Sequence, residues 1–368
     1  MRRAPVEQHI KAPPDYLPTL DGWRAVAISL VLFCHLQLPG QALSSVAPYG
    51  AMGVHLFFAI SGLLITCRLL EDTQGSGSLR LGSFYIRRAF RILPPAFAYL
   101  IALCGIGFGL GLIPINIGQV MAAAFFYRNY YTLPVPQSWY TGHYWSLSVE
   151  EHFYLLWPGL LALLGTRRAR WTAPALACLF EVWRGLDTHF NWIASIDPAL
   201  RAFPERTDYR MDGLLWGCTA AFLWTDPRVR EWLRAHSRSI WAIAAIAGIV
   251  LALIVEPPGL ETMLAFLLPV PLLVTVANPG SWLGRLLESG AARWWGRLSY
   301  SVYIWQQLFL HPYGLPSTLG FAQRLPWNLV LTVLCASASY YFVERPLRRV
   351  GRRIAARRTR GSYAVRAS

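Results

Sequence analysis

Lysine is almost missing from this chain: of its 34 basic residues, only Lys11 is not an arginine. Charge of any kind is scarce, at 14% of residues, where a soluble domain carries about 25%. No segment is both polar and long enough to gather basic residues with aromatics between them, which excludes a nucleic-acid ligand despite the formal charge of +15. The six cysteines (Cys34, Cys67, Cys104, Cys178, Cys218 and Cys335) lack CxxC spacing, so they read as small packing residues inside helices. No metal set is legible, because His143 and His152 lack a usable ligand spacing. No cleavable leader is expected, since the start is polar, holds Pro13 and Pro14, and precedes an apolar run without a small-residue cleavage site. There is no internal repeat, no heptad and no low-complexity stretch.

What the chain has in abundance is apolar residues, 55% of the total, gathered in runs longer than a soluble core requires. The runs lie near 23–39, 51–68, 94–114, 148–165, 171–183, 211–225, 239–255, 260–277, 294–311 and 326–343. They predict an all-α, polytopic membrane bundle of about ten transmembrane helices. The run 171–183 is the weakest, being short and holding Glu181. Residues 117–127 are apolar but too short to cross about 30 Å, so they read as a re-entrant segment covered by protein. Arginines cluster before the first run, between the second and third, after the fourth, sixth and eighth, and in the tail. Placing these clusters on the cytoplasmic side puts both termini in the cytoplasm. Residues 1–346 then form one membrane domain, and 347–368 a basic, disordered cytoplasmic tail.

Three constellations carry candidate chemistry. Arg24 and His35 are eleven residues apart, about 1,100° of helical rotation and so about 20° from three full turns. They share a face, roughly 16 Å apart along the axis. An ionisable residue inside a span costs a few kcal/mol unless it faces protein or a cavity; snorkelling of the arginine and packing of the histidine is the plainer alternative. Arg88 and Arg91 are i, i+3 neighbours, placed to fork onto phosphate oxygens or simply to anchor the span. In the stretch His143 to Pro158, Ser148 and Glu151 have capping-box spacing. That leaves Glu150 free to orient a histidine base or bind a hydroxyl. Trp139, Tyr140, Trp145, Tyr154 and the polar stretch 184–212, including Arg210 and Asp212, are candidate acceptor contacts, with interfacial anchoring as the alternative for the aromatics.

Taken in order, these blocks resemble the bacterial acyltransferase-3 family. Leu20-Asp21-Gly22-Trp23-Arg24-Ala25 leading to His35 is similar to its opening motif, and Gly53 to Gly62 to its second-span signature. Arg88-Ala89-Phe90-Arg91 matches its RxxR pair. Trp145 to Pro158 is similar to its WSLSVEEQFYLLWP motif, and Gly296 to Trp305 and Phe342 to Pro346 resemble its closing signatures. The blocks extend over residues 16–349. The resemblance implies a multi-pass O-acyltransferase of the bacterial cytoplasmic membrane that moves an acyl group, commonly acetyl, from acyl-CoA to a hydroxyl of a sugar or glycan. It makes His35 and Glu150 the catalytic residues, gives the CoA phosphates to Arg24, Arg88 and Arg91, and requires no metal. Departures lie at His55, at His152 in place of the usual Gln, and at Gln306, where many members have His. No acid follows His35 closely, which leaves its partner open.

On this reading His35 takes a proton from the acceptor hydroxyl as it attacks the thioester, or else carries the acyl group itself. A small-molecule acceptor such as a macrolide, a transporter or flippase with polar residues along its path, and an inactive sensor are the rival readings. The chain ends at Ser368 without an added hydrolase-like domain, so it is expected to act alone or with a separate partner.

Overall fold

An apolar run in lipid can satisfy its backbone polar groups within its own segment only by coiling into a helix. The computed structural model describes residues 16–36, 51–76, 79–131, 139–197, 205–257, 259–311 and 318–367. Among them all regular structure is helical. Helix α1 is Pro18–His35, α2 Ala51–Ser76, and α3 Leu81–Cys104, which continues into a π turn at Gly105–Gly109. Then come α4 (Ile117–Ala124), α5 (Trp139–Gly142), α6 (Tyr144–Phe190), α7 (Trp192–Ile196), α8 (Thr207–Thr225), α9 (Pro227–His236) and α10 (Ser239–Val255). The chain closes with α11 (Leu260–Leu267), α12 (Pro269–Ala277), α13 (Trp282–Leu287), α14 (Gly290–Phe309), α15 (Trp327–Ala338) and α16 (Arg345–Ala367).

Among the described residues three stretches are long and apolar enough to cross a membrane: Met52–Thr73, Leu81–Gly109 and Leu260–Ala277. Helices α9 and α10, bent by 92° to each other, make a fourth if taken as one span. The remaining apolar runs fall on helices that are shorter or carry ionisable residues, such as Asp21 and Arg24 in α1. The segment read as re-entrant contains α4, eight residues long and capped by Asn116, whose side chain accepts from the Gly118 and Gln119 amides. The runs 148–165 and 171–183 are not separated by a loop. They form the two arms of α6, broken at Gly165, whose φ of 70° and ψ of 164° few side-chain-bearing residues adopt.

The basic stretch expected as a disordered tail is instead helical to Ala367, running on through residue 346. Its small residues explain the difference. A Cβ added to Gly351 would lie 2.4 Å from the Cβ of Phe90, and Ser83 donates to the Ala355 carbonyl at 3.3 Å, so α16 lies directly on α3.

Close approach also fixes the centre of the bundle. A methyl on Gly296 of α14 would come within 1.7 Å of the Asp21 carbonyl oxygen of α1, and one on Gly62 of α2 within 1.9 Å of the Leu214 carbonyl of α8. Both glycines belong to motifs quoted above, so part of what those motifs encode is backbone contact between helices. Around this centre α1 packs on α2 and α14, α2 on α8, and α8 on α6. Overpacked core sites typically lose about 1–3 kcal/mol, and backbone has little room to give. Gly62→Val and Gly296→Val should therefore each lower the Tm of the detergent-purified protein, whereas Gly159→Ala, which meets open space, should cost little beyond its change in helix propensity. Equal melting temperatures for all three variants would contradict the packing argument.

Candidate active site

Five helices converge on a cavity of about 70 Å³, room for about five waters at roughly 10–15 Å³ each, or for one narrow chain. Helix α1 contributes Arg24, α2 contributes Phe57 and Ser61, and α3 contributes Arg88 and Arg91. Glu150 and Tyr154 come from α6, and Ser299, Tyr300 and Tyr303 from α14. The register of α1 against α14, locked at Gly296, turns Arg24 inward. Among the described residues Arg24 makes a long 3.4 Å contact with Asp21. The Arg88 guanidinium lies 5.0 Å from the centre of the Tyr154 ring and 5.8 Å from that of Phe84. Tyr300 donates to the Ile92 carbonyl at 2.8 Å and Tyr144 to that of Ala96 at 2.7 Å, tying α3 to α14 and α6 beside the cavity.

The three arginines predicted from the sequence therefore share one cavity. Glu150 is there too: its Oε1 accepts from Ser61 at 2.7 Å, and Tyr154 donates to the same hydroxyl at 3.2 Å. Glu150 is the one carboxylate among the described lining residues, against three guanidiniums, so the lining itself carries more positive than negative charge, a condition suited to an anionic ligand. Glu150 is not the group that holds His35. The histidine Nδ1 lies 2.8 Å from Oε1 of Gln306 on α14, and Trp139 meets the imidazole edge to face at 5.1 Å. Gln306 lies one turn beyond Tyr303, so one face of α14 connects the arginine cavity to His35.

Of the acceptor candidates, Tyr154, Trp145, Arg210 and Asp212 divide among three places, while Trp139 packs on His35 and Tyr140 meets Thr318. Tyr154 lines the arginine cavity. Trp145 lies 5.9 Å from the Arg210 guanidinium, and Arg210 pairs with Glu261, which also meets His55 Nε2 at 2.8 Å. Asp212 pairs with Arg184 at 2.7 Å. His152 meets Thr207 at 2.6 Å, pinning α6 to the start of α8. Sequence reasoning missed Ser61, Gln306 as the partner of His35, and Glu261. The only prior signal was that His55 and Gln306 break the resemblance. Among the described residues no three His, Cys, Asp or Glu side chains gather as a metal-holding group.

The polar stretch 184–212 is partly structural. Asp187 accepts from the Ile193 amide at 2.8 Å, from Tyr209 at 2.7 Å and from Arg206 at 3.0 Å. Burial pushes this carboxyl up, but those hydrogen bonds and the guanidinium outweigh it and hold it below the ordinary carboxylate range. The stabilisation is therefore complete above the unfolded value of about 3.9 and is lost as pH falls through the depressed folded value. Asp187→Asn should lower Tm by several degrees at neutral pH, and its deficit should shrink in acid. A deficit that stays constant down to about pH 2.5 would refute the linkage.

The model of the acyltransferase-3 family, described as an acyltransferase domain, matches residues 17–344. The chain belongs to this family. It is similar to the peptidoglycan O-acetyltransferase OatA of Listeria monocytogenes, with 28% identity over 91% of this chain and 56% of that protein. It is also similar to a provisionally named O-acetyltransferase of Staphylococcus aureus, with 30% identity over 95% of this chain and 59% of the relative. A provisionally named peptidoglycan O-acetyltransferase of Bacillus subtilis, YrhL, shares 29% identity over 93% of this chain. The chain spans less than two thirds of the length of these relatives. No solved structure matches it. Most of the chain, residues 17–344, is accordingly the acyltransferase domain of this family.

Proposed function

We propose that this acyltransferase spans the bacterial cytoplasmic membrane about ten times, with both termini in the cytoplasm, and moves an acetyl group from acetyl-CoA to a glycan hydroxyl. The observation that carries the donor assignment is the meeting of Arg24, Arg88 and Arg91 at one cavity. CoA brings phosphates, which are costly to bury without paired cations. A cavity this narrow suits the pantetheine arm, with the nucleotide end left at the cytoplasmic rim. Glu150, bonded to Ser61 in the same cavity, offsets part of the arginine charge between turnovers. The glycan assignment is supported by the name of the Listeria relative, an O-acetyltransferase of peptidoglycan.

In the reaction, neutral His35 removes the proton of the acceptor hydroxyl through Nε2 while the hydroxyl oxygen forms its bond to the thioester carbonyl carbon. Collapse of the tetrahedral intermediate breaks the carbon–sulfur bond. The imidazolium returns its proton to the departing thiolate, leaving ester and free CoA.

The test is purified protein with acetyl-CoA and a peptidoglycan fragment, read by free thiol and by mass spectrometry of the fragment. His35→Ala, shown to be folded, should lose about 10²–10⁴ in kcat. Arg88→Ala and Arg91→Ala should each raise KM for acetyl-CoA by about tenfold or more, since a charge-assisted hydrogen bond contributes about 1.5–3 kcal/mol. Acetylation of a macrolide but of no glycan would move the acceptor assignment. Translocation of a substrate without thiol release would replace the enzyme reading with a carrier.

A further inference from the structure

Behind His35 lies a chain of side-chain amides that, among the described residues, no charged group enters. Gln306 Oε1 faces His35 Nδ1 at 2.8 Å, Gln306 Nε2 meets Gln307 Oε1 at 2.8 Å, and Gln307 Nε2 meets the Trp139 backbone carbonyl at 2.9 Å. Gln306 is fully buried and Gln307 nearly so. The direction of an amide must be deduced from its neighbours, and here one end of the chain has no freedom. A backbone carbonyl accepts and never donates, so the Gln307 nitrogen must face Trp139 and its oxygen must face Gln306. Gln306 must then present its nitrogen to Gln307 and its oxygen to His35. Reversing either amide would set oxygen against oxygen or nitrogen against nitrogen. The only arrangement that bonds throughout puts a proton on His35 Nδ1 and leaves the Nε2 lone pair free.

We infer that Gln306, anchored through Gln307 to the Trp139 carbonyl, is a positioning residue that fixes His35 in its Nδ1–H tautomer. The inference rests on the acyl-transfer reading for its consequence, but not for its geometry. It resolves the missing acid noted in the sequence: the imidazole is oriented by a neutral oxygen. A carboxylate there would add a second buried charge, costly in this setting, and would hold the imidazolium more tightly. A neutral acceptor orients the ring and leaves the captured proton easier to pass to the leaving thiolate. Trp139 secures the anchor, since its indole donates to the Leu310 carbonyl at 2.6 Å and its ring packs against the imidazole.

The experiment uses the full-length protein in detergent with ¹⁵N-labelled histidine, the His35 signal being the one lost in His35→Ala. In the wild type at neutral pH, the signal should show Nδ1 protonated and Nε2 bare. Gln306→Leu should shift it toward the other tautomer and lower kcat about 10- to 100-fold, while KM for acetyl-CoA stays within about twofold. Gln306→Glu, whose carboxylate also accepts from Nδ1, should keep the wild-type tautomer. Should Gln306→Leu fail to fold, Gln307→Leu, which frees the Gln306 amide to turn, should give the same tautomer change. A wild-type His35 protonated on Nε2 would overturn the inference, as would a folded Gln306→Leu protein with unchanged tautomer and kcat. A wild-type Nδ1–H signal in a protein that releases no CoA thiol would support the relay and refute the acyl-transfer reading, so the two failures are distinguishable.

Discussion

Three guanidiniums held inside a helical bundle form the constraint around which the rest of this protein is arranged. Arginine stays charged at any physiological pH, and a buried charge is tolerated only where partners or a ligand offset its lost hydration. Arg24, Arg88 and Arg91 come from α1 and α3, and the surrounding groups respond to them. Glu150 faces them while bonded to Ser61, and Tyr154 offers its ring face to Arg88. The proline-bearing α3 is tied down by hydroxyls of Tyr300 and Tyr144. Such a cavity is stable enough to persist yet short of negative charge, the property that a phosphate-bearing donor would exploit.

Close helix packing gives that cavity its precision. Glycine at 62 and 296 lets backbones touch, and contacts of that kind leave no room for a helix to slide or rotate. The register of α1 against α14 then decides two things at once: Arg24 faces the cavity, and His35, three turns on, meets Gln306. The cavity and the histidine are thus two ends of one helix–helix seam. On the proposed reading, that seam would hold the donor site and the base at a fixed separation. The neighbouring ends of α6, α8 and α11 obey a different logic. There Asp187 with Arg206, Asp212 with Arg184, and Glu261 with Arg210 are paired within the protein, so these charges serve first to hold loops and helix ends together.

The sequence by itself determined what depends on composition and short-range period. Scarce charge and long apolar runs dictate a helical membrane protein, and the eleven-residue interval puts Arg24 and His35 on one face. The RxxR pair likewise puts two guanidiniums at the same span entrance, because helical period is a local property. Only the tertiary structure decided who meets whom. Gln306 is 271 residues from His35, and Glu261 reaches His55 from another helix, contacts that no local spacing encodes. The same holds for Glu150, legible as an acid inside a span but assignable to the arginines and not to His35 only once α2 brings Ser61 beside it. Composition also misled at the C-terminus, where a string of arginines reads as a solvated tail. Gly351 and Ala355 give α16 a smooth face for α3, and the worth of that face depends on Phe90 and Ser83, residues far away in the chain. Local period is written in the order of residues, whereas partner choice is a property of surfaces that exist only after the helices have packed.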